Sequence, residues 1–331
     1  MLIPPDISED TIVARVRECY DLPVERAEFL PLGNDSSAWV YRARAAGGGD
    51  YFLKLRRGAL NEPGLLVPRL LAEGGVPHVL APLPTAEGGA WAQLEDFALI
   101  VYPFVEGQRG REAGMGERHW RALGEALRLI HAAELPPALA AAMRRESFAP
   151  DHHEVGRLLD RRIAHESFAD PLEQELAAFW REHAGRIRAL LDRSQEQGEH
   201  LRAASPPQVL CHADIHPWNV MIDRDGELWI VDWDEARLAP RERDLMFAIG
   251  GIGGDGVGPQ TAAWFLQGYG PEPVDQQALR YYRCAWAVQD IASFAQEVFL
   301  MPDLAVEDRA AAVRFFKGLF TPGAIVEIAE G

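Results

Sequence analysis

The stretch "CHADIHPWNVMID" at 211–223, followed by "ELWIVDWDE" at 227–235, constrains this chain more than any other part of it. It sets Asp214 two residues after His212, Asn219 five residues after that Asp, and Asp232 at the end of an apolar run. A carboxylate withdrawn from water is costly unless something positive or hydrogen-bonding meets it. Singly, each of these residues reads as part of an ordinary polar turn. Jointly, three oxygen-bearing side chains on a strand–loop–strand segment read as a site. The residue types suit magnesium, which takes oxygen ligands and keeps several waters, so that one Asp and one Asn suffice from the protein.

Charge and composition narrow the partners. Thirty-three basic residues against fifty acidic ones leave a net charge of −17. Such a surface repels a phosphate backbone, which excludes nucleic acid as the expected partner and agrees with a small cationic one. Cys19, Cys211 and Cys284 are scattered, with no CxxC pair, so neither a disulfide framework nor a zinc site is expected. The longest uncharged apolar run, "FALIVYPFV" at 97–105, is too short to span a bilayer, so no membrane partner is expected. The opening "MLIPPDISED" lacks the basic region and apolar core of a secretory signal, and a cytoplasmic location is the expectation. Oligomeric state leaves no trace in the sequence.

The order of elements changes midway. "EFLPLG" (28–33), "AWVYRARA" (38–45) and "YFLKLRR" (51–57) are rich in branched and aromatic residues and predict strands, the last two joined by the hairpin turn "AGGGD". "NEPGLLVPRLLAEGG" (61–75) predicts a helix with Asn61 as N-cap and Pro68 as a kink or short first turn. Strands are then expected in "HVLAPLPTA", "WAQLED" and "FALIVYPFV". Beyond 110, Trp120, Leu123, Leu127 and Ile130 form the apolar stripe of a helix over 117–134. Further helices are expected over 170–197 and around 241–249, 259–269, 275–299 and 305–320. The outline is α+β: a strand-rich N-terminal lobe over 1–104, and a helical C-terminal lobe over 105–331 that carries the β-loop-β segment.

Phosphoryl transfer needs little covalent help from a protein. It needs divalent metal on the nucleotide phosphates and a carboxylate to orient and deprotonate the attacking hydroxyl. Asp214, Asn219 and Asp232 match that need in type and order. The pattern His212-Ala-Asp214-x4-Asn219, with "IVDWDE" and then "ARLAPRERDLMF", resembles the aminoglycoside phosphotransferases and choline-type kinases, which share a bilobal protein-kinase-like fold, and most resembles the spectinomycin-type branch. Protein kinases carry Arg between the His and Asp and Phe-Gly after the metal-binding Asp, where this chain has Ala213 and Trp233-Asp234. The resemblance implies Asp214 as catalytic base, Asn219 and Asp232 as magnesium ligands, and ATP or GTP as phosphoryl donor. It also implies a supporting role for His212 and for Asp244, the latter hydrogen-bonding the catalytic-loop backbone. Asp234 is expected at metal or substrate, or on a solvated loop.

At the nucleotide end, Lys54 in "YFLKLRR" stands where a kinase needs a lysine for the α- and β-phosphates, and Glu62 is its expected counter-charge, with Glu73 the other candidate. "LPLGNDSSAWVYRA" has a single glycine, so Gly33, Ser36 and Ser37 replace the usual glycine-rich loop over the phosphates. The resemblance places adenine against backbone groups near Tyr102 and Phe104. "GIGGDG" at 251–256 satisfies GxGxxG literally but follows a helical segment, so it is read as a loop. His212 with His216, and His152 with His153, lack a third ligand and are not read as metal sites.

For the acceptor, Trp286 and Asp290 are four apart on one helix face and are candidates to hold it. The expected activity is transfer of phosphate from ATP to a hydroxyl of an aminocyclitol or aminoglycoside. A metabolic kinase for choline, homoserine or a sugar, or a non-catalytic nucleotide-binding scaffold, are the alternatives.

Overall fold

The computed structural model describes residues 4–32 and 37–331. The backbone divides into two compact units: Met1–Met143 with Pro217–Ala236, and Arg144–His216 with Arg237–Gly331.

The first unit is built on the antiparallel sheet β1-β2-β3-β5-β4, formed by β1 (Val24–Leu30), β2 (Ala38–Ala45), β3 (Asp50–Arg57), β4 (Ala92–Leu94) and β5 (Phe97–Pro103). Alternation in β3 sends Leu53 and Leu55 into the core and Lys54 and Arg56 to the other face. Helix Glu9–Tyr20, capped by Ser8, lays Ile12, Val13, Val16 and Tyr20 on that core. Each such buried side chain contributes about 1.5–3 kcal/mol by leaving water. Helix Glu62–Glu73 continues through Pro68, burying Leu65, Val67 and Leu71. Helix Glu117–His131 buries the predicted stripe Trp120, Leu123, Leu127 and Ile130.

A second small sheet in this unit, β10-β9-β6, joins β6 (Gly107–Arg109) to the hairpin of β9 (Val220–Asp223) and β10 (Leu228–Ile230). Residues 78–86 are not the predicted strand. They make one parallel bridge, Val79 with Ile230. Pro82 and Pro84 withdraw the N–H groups that a longer ladder would use.

In the second unit, helix Gln276–Phe299 packs against helices Pro171–Ala204, His153–His165, Val306–Gly318 and Ile325–Glu330. Asp275 caps it, accepting from the N–H groups of Gln277 and Ala278. Helix Pro171–Ala204 outruns the predicted end at 197 because Gly198 lies under the chain at Phe148, where a Cβ would strike the Phe148 carbonyl oxygen. A close approach of backbone repays the glycine there. The unit's sheet, β7-β11-β8, comprises β7 (Arg144–Arg145), β8 (Val209–Cys211) and β11 (Arg237–Ala239). Cys19, Cys211 and Cys284 are free thiols. Among the described residues no helix is long and apolar enough to cross a membrane.

Two glycines test this packing in opposite directions. A Cβ on Gly107 would land on the Ile222 carbonyl oxygen across the β6–β9 ladder, so Gly107→Ala is expected to destabilise by about 1–3 kcal/mol, the scale of overpacking. Gly185 lies exposed within helix Pro171–Ala204 with open space around it, so Gly185→Ala is expected to stabilise by about 0.5–1 kcal/mol. Denaturant unfolding of both variants reads the two signs; a neutral Gly107→Ala would contradict the β6–β9 register.

Candidate active site

Lys54 is the centre of the first unit's polar cluster. Its flanking leucines fix β3 against the core, so the ammonium must find its partners on the opposite face. Nζ lies 2.7 Å from Asp234 Oδ2 and 3.7 Å from Asp232 Oδ1. Burial disfavours the charged amine, but the Asp232 and Asp234 carboxylates outweigh it and hold the Lys54 pKa above its usual value. Arg56, two residues along the same strand face, places NH1 2.9 Å from the same Asp234 oxygen. Burial, then the charges of Asp234 and Asp232, push the Tyr102 phenol well up.

The segment carrying these carboxylates is pinned from two sides. Val231 N–H donates to the Asn219 carbonyl at 3.0 Å, extending the β9–β10 ladder by one step and setting Asn219 beside the turn that begins at Asp232. Asp232 adopts φ 64°, a left-handed conformation that Asp tolerates better than most residues. Its carboxylate is half exposed. On the other side, Asn61 Nδ2 donates to the Asp234 carbonyl at 2.7 Å. A Cβ on Gly64 would sit 2.8 Å from the Trp233 carbonyl oxygen, so the first turn of helix Glu62–Glu73 meets the 233–234 backbone directly.

The second unit holds the loop around Asp214. Asp244, fully buried, accepts from His212 N–H at 2.9 Å and from Ala213 N–H at 2.6 Å. Two charge-assisted bonds hold Ala213 at φ 69°, which costs an alanine about 1–2 kcal/mol. Asp214 N–H in turn donates to His212 Nδ1 at 3.3 Å, which fixes that nitrogen as an acceptor. His216 Nε2 lies 3.2 Å from Asp214 Oδ1. Phe247 meets His216 edge-on, and Trp286 meets Phe247 edge-on with centroids 5.0 Å apart.

Asp290 completes this group. Burial and then the Asp214 charge push its carboxyl up to about 7, while His216 and Arg243 oppose the rise. Trp286 also pulls it down, although the indole N–H makes no hydrogen bond of normal geometry.

The structure thus gathers Lys54, Asn219, Asp232 and Asp234 in one unit, and His212, Asp214, Asp244, Trp286 and Asp290 in the other. Glu62 is not brought to Lys54: it accepts from the Trp91 indole at 3.2 Å, and Asp234 stands in its place as the lysine's partner. The Phe104 N–H donates to the Asp50 carbonyl at 3.2 Å, and Arg42 stacks over the Phe104 ring at 4.3 Å, so that N–H is already engaged. Ser37 accepts the Arg57 N–H at 2.9 Å. Gly33 and Ser36 lie outside the described residues. Three contributors escaped sequence reasoning. The two-residue period of β3 predicts Arg56 beside Lys54. Asn61 was read as a helix cap, yet its side chain makes no capping bond. His216 was weighed only as a metal ligand.

The Asp290 carboxyl yields a pH test. An unfolded Asp titrates near about 3.9. The folded pKa of about 7 is higher, so the folded chain binds the extra proton across that window. The stability this gives is complete below about pH 4 and lost as pH rises through about 7. Asn at this position imitates the protonated form. Asp290→Asn should therefore raise the thermal midpoint relative to the parent at pH 8 and leave it nearly unchanged at pH 4.5. Equal shifts at both pH values would contradict the assignment.

The chain resembles the crystallised spectinomycin phosphotransferase APH(9)-Ia, in complex with ADP and spectinomycin, at 31% identity and a TM-score of 0.90 over 98% of each chain. Protein StrN of Streptomyces griseus is 27% identical over 277 residues, 81% of this chain and 78% of that protein. The choline kinase LicA of Streptococcus pneumoniae shares the fold, with a TM-score of 0.55 over 94% of this chain and 99% of that one, at 14% identity. The architecture is the α+β protein-kinase-like one. Residues 28–296 match the phosphotransferase enzyme family known as APH, and the chain belongs to that family of small-molecule phosphotransferases.

Proposed function

We propose that this enzyme is an ATP- and magnesium-dependent O-phosphotransferase that phosphorylates a hydroxyl of a small cationic aminocyclitol or aminoglycoside of the spectinomycin type. The observation that carries the reading is the ion-paired set of Lys54, Asp232 and Asp234, in the order and spacing of a small-molecule kinase. The likeness to a spectinomycin phosphotransferase over nearly the full chain supports the acceptor class.

In this reading Lys54 would hold the nucleotide phosphates. Asn219 and Asp232 would hold magnesium. Their donor set fits, since both offer oxygen, Asp232 is half exposed, and the Val231–Asn219 bond keeps the two residues in adjacent steps of one ladder. Bound there, the ion would neutralise charge on the nucleotide phosphates. Ser37 and the β5 end at Tyr102 and Phe104 belong to the nucleotide side, within a nucleotide lobe over 1–104. Residues 105–331 carry the catalytic loop and the acceptor site. Either ATP or GTP satisfies contacts made through backbone.

Asp214 takes the proton of the acceptor hydroxyl, with His216 beside it and Asp244 fixing the loop beneath it. Trp286 and Asp290 face the acceptor's cationic part, and an ammonium near Asp290 would favour its ionised form. A small acidic protein with such a substrate fits a cytoplasmic location.

A coupled ADP-release assay across spectinomycin, aminoglycosides, choline and homoserine tests the proposal, with turnover expected on spectinomycin or an aminoglycoside. Turnover confined to choline or homoserine would replace the acceptor class. Asp214→Ala should lower kcat by about 10²–10⁴ while ATP still binds, as for loss of a general base. Lys54→Ala should chiefly impair productive use of ATP, and unchanged KM and kcat for ATP would remove Lys54 from this role.

A further inference from the structure

The second unit contains a cavity of about 260 Å³ that none of the chemistry above uses. Four arginines line it, Arg144, Arg145, Arg237 and Arg243, against two carboxylates, Glu146 and Asp151. In a chain of net charge −17 this is a local reversal of sign. Both acids are occupied: Glu146 Oε1 accepts the Phe148 N–H at 2.8 Å, and Asp151 lies 3.8 Å from Arg237. In the β7–β11 ladder Arg144 stands directly beside Arg237, so two guanidinium groups share this wall of the cavity.

Two other lining side chains point to the kind of ligand the cavity takes. Tyr282 and Arg243 are only 1% and 5% exposed. The Tyr282 hydroxyl and the Arg243 Nε are buried with no hydrogen-bond partner. The Arg243 guanidinium packs over the rings of Tyr282, at 5.8 Å, and Trp286, at 5.1 Å, so the group is held in place while its Nε–H lacks an acceptor. Guanidinium N–H groups can only donate, and the hydroxyl has a proton to give. Buried donors left unmet cost about 1–3 kcal/mol each, more when charged. Clustered donors in a basic cavity call for a ligand that only accepts and carries negative charge.

We propose that this cavity is an anion-binding subsite for a small molecule bearing a carboxylate or phosphate group. Its volume lies just below the range of drug-sized sites, so it admits a compact ligand or one end of a larger one. The subsite is distinct from Lys54, which lies in the other unit.

Calorimetric titration of the whole protein with inorganic phosphate and, separately, with succinate at low ionic strength tests the proposal without any turnover, so the outcome is independent of the kinase reading. At least one of the two should bind saturably, and which one does separates the phosphate source from the carboxylate source. Tyr282→Phe, which keeps the ring and removes one donor, should weaken binding about tenfold. The exposed double variant Arg144→Ala/Arg145→Ala should weaken it by a similar factor without endangering the fold. Lys54→Ala should leave it unchanged. Absence of saturable binding by either anion overturns the proposal. So does binding that is lost in Lys54→Ala, or affinity that is unmoved in both cavity variants. If Tyr282→Phe does not fold, the double variant decides alone.

Discussion

A lysine held among apolar neighbours on a central strand is tolerable only if carboxylates reach it. Lys54 sits between two fully buried leucines, and Asp232, Asp234 and Arg56 are arranged around its charge. Asp234 supplies the close contact, Asp232 the second carboxylate, and Arg56 binds the same Asp234 oxygen so that the carboxylate bridges two cations. Asn61 and Gly64 hold the 233–234 backbone against the neighbouring helix, and the Asn219–Val231 bond holds it from the hairpin. The site is a consequence of neutralising one ammonium group. Asp232 stays half exposed while lying 3.7 Å from the amine.

The second unit solves a different problem, which is to hold a short loop in a conformation that it would not choose. Ala213 at φ 69° has no side chain to stabilise a left-handed turn. The buried Asp244 carboxylate takes the N–H groups of His212 and Ala213. With the loop fixed, Asp214 and His216 are presented together, and Asp290 is close enough to feel the Asp214 charge. The Asp290 carboxyl is pushed up to about 7, and Asp214 has His216 beside it.

Much of this was legible in the sequence, because local periodicity and motif spacing are local properties. The alternation of "YFLKLRR" gave β3 and the face of Lys54, and the stripe from Trp120 to Ile130 gave its helix. The order of Asp214, Asn219 and Asp232 pointed to phosphoryl transfer before any fold was known, and Asp244 lies where the resemblance implied. What was lost depended on long-range choice. Asp234 meets Lys54 across 180 residues of chain, so no spacing rule could prefer it to Glu62, which the Trp91 indole engages instead. The segment 78–86 looked like a strand because it is a short apolar run, but its prolines withdrew the donors. Helix Glu9–Tyr20 was passed over although Ser8, the acidic first turn and the spacing of Ile12, Val16 and Tyr20 announce it. The arginine-lined cavity was beyond reach in principle, since its residues are drawn from three separate stretches of chain.

The central claim is that this arrangement moves the terminal phosphoryl group of a nucleotide onto an alcohol. Phosphorus NMR of the protein incubated with ATP, magnesium and spectinomycin follows that group directly. The account predicts that the γ-phosphate signal is replaced, in step with ADP formation, by a phosphomonoester resonance that is absent when Asp214 is Ala. Conversion of ATP to ADP and inorganic phosphate alone, or a monoester formed equally well without Asp214, would contradict it.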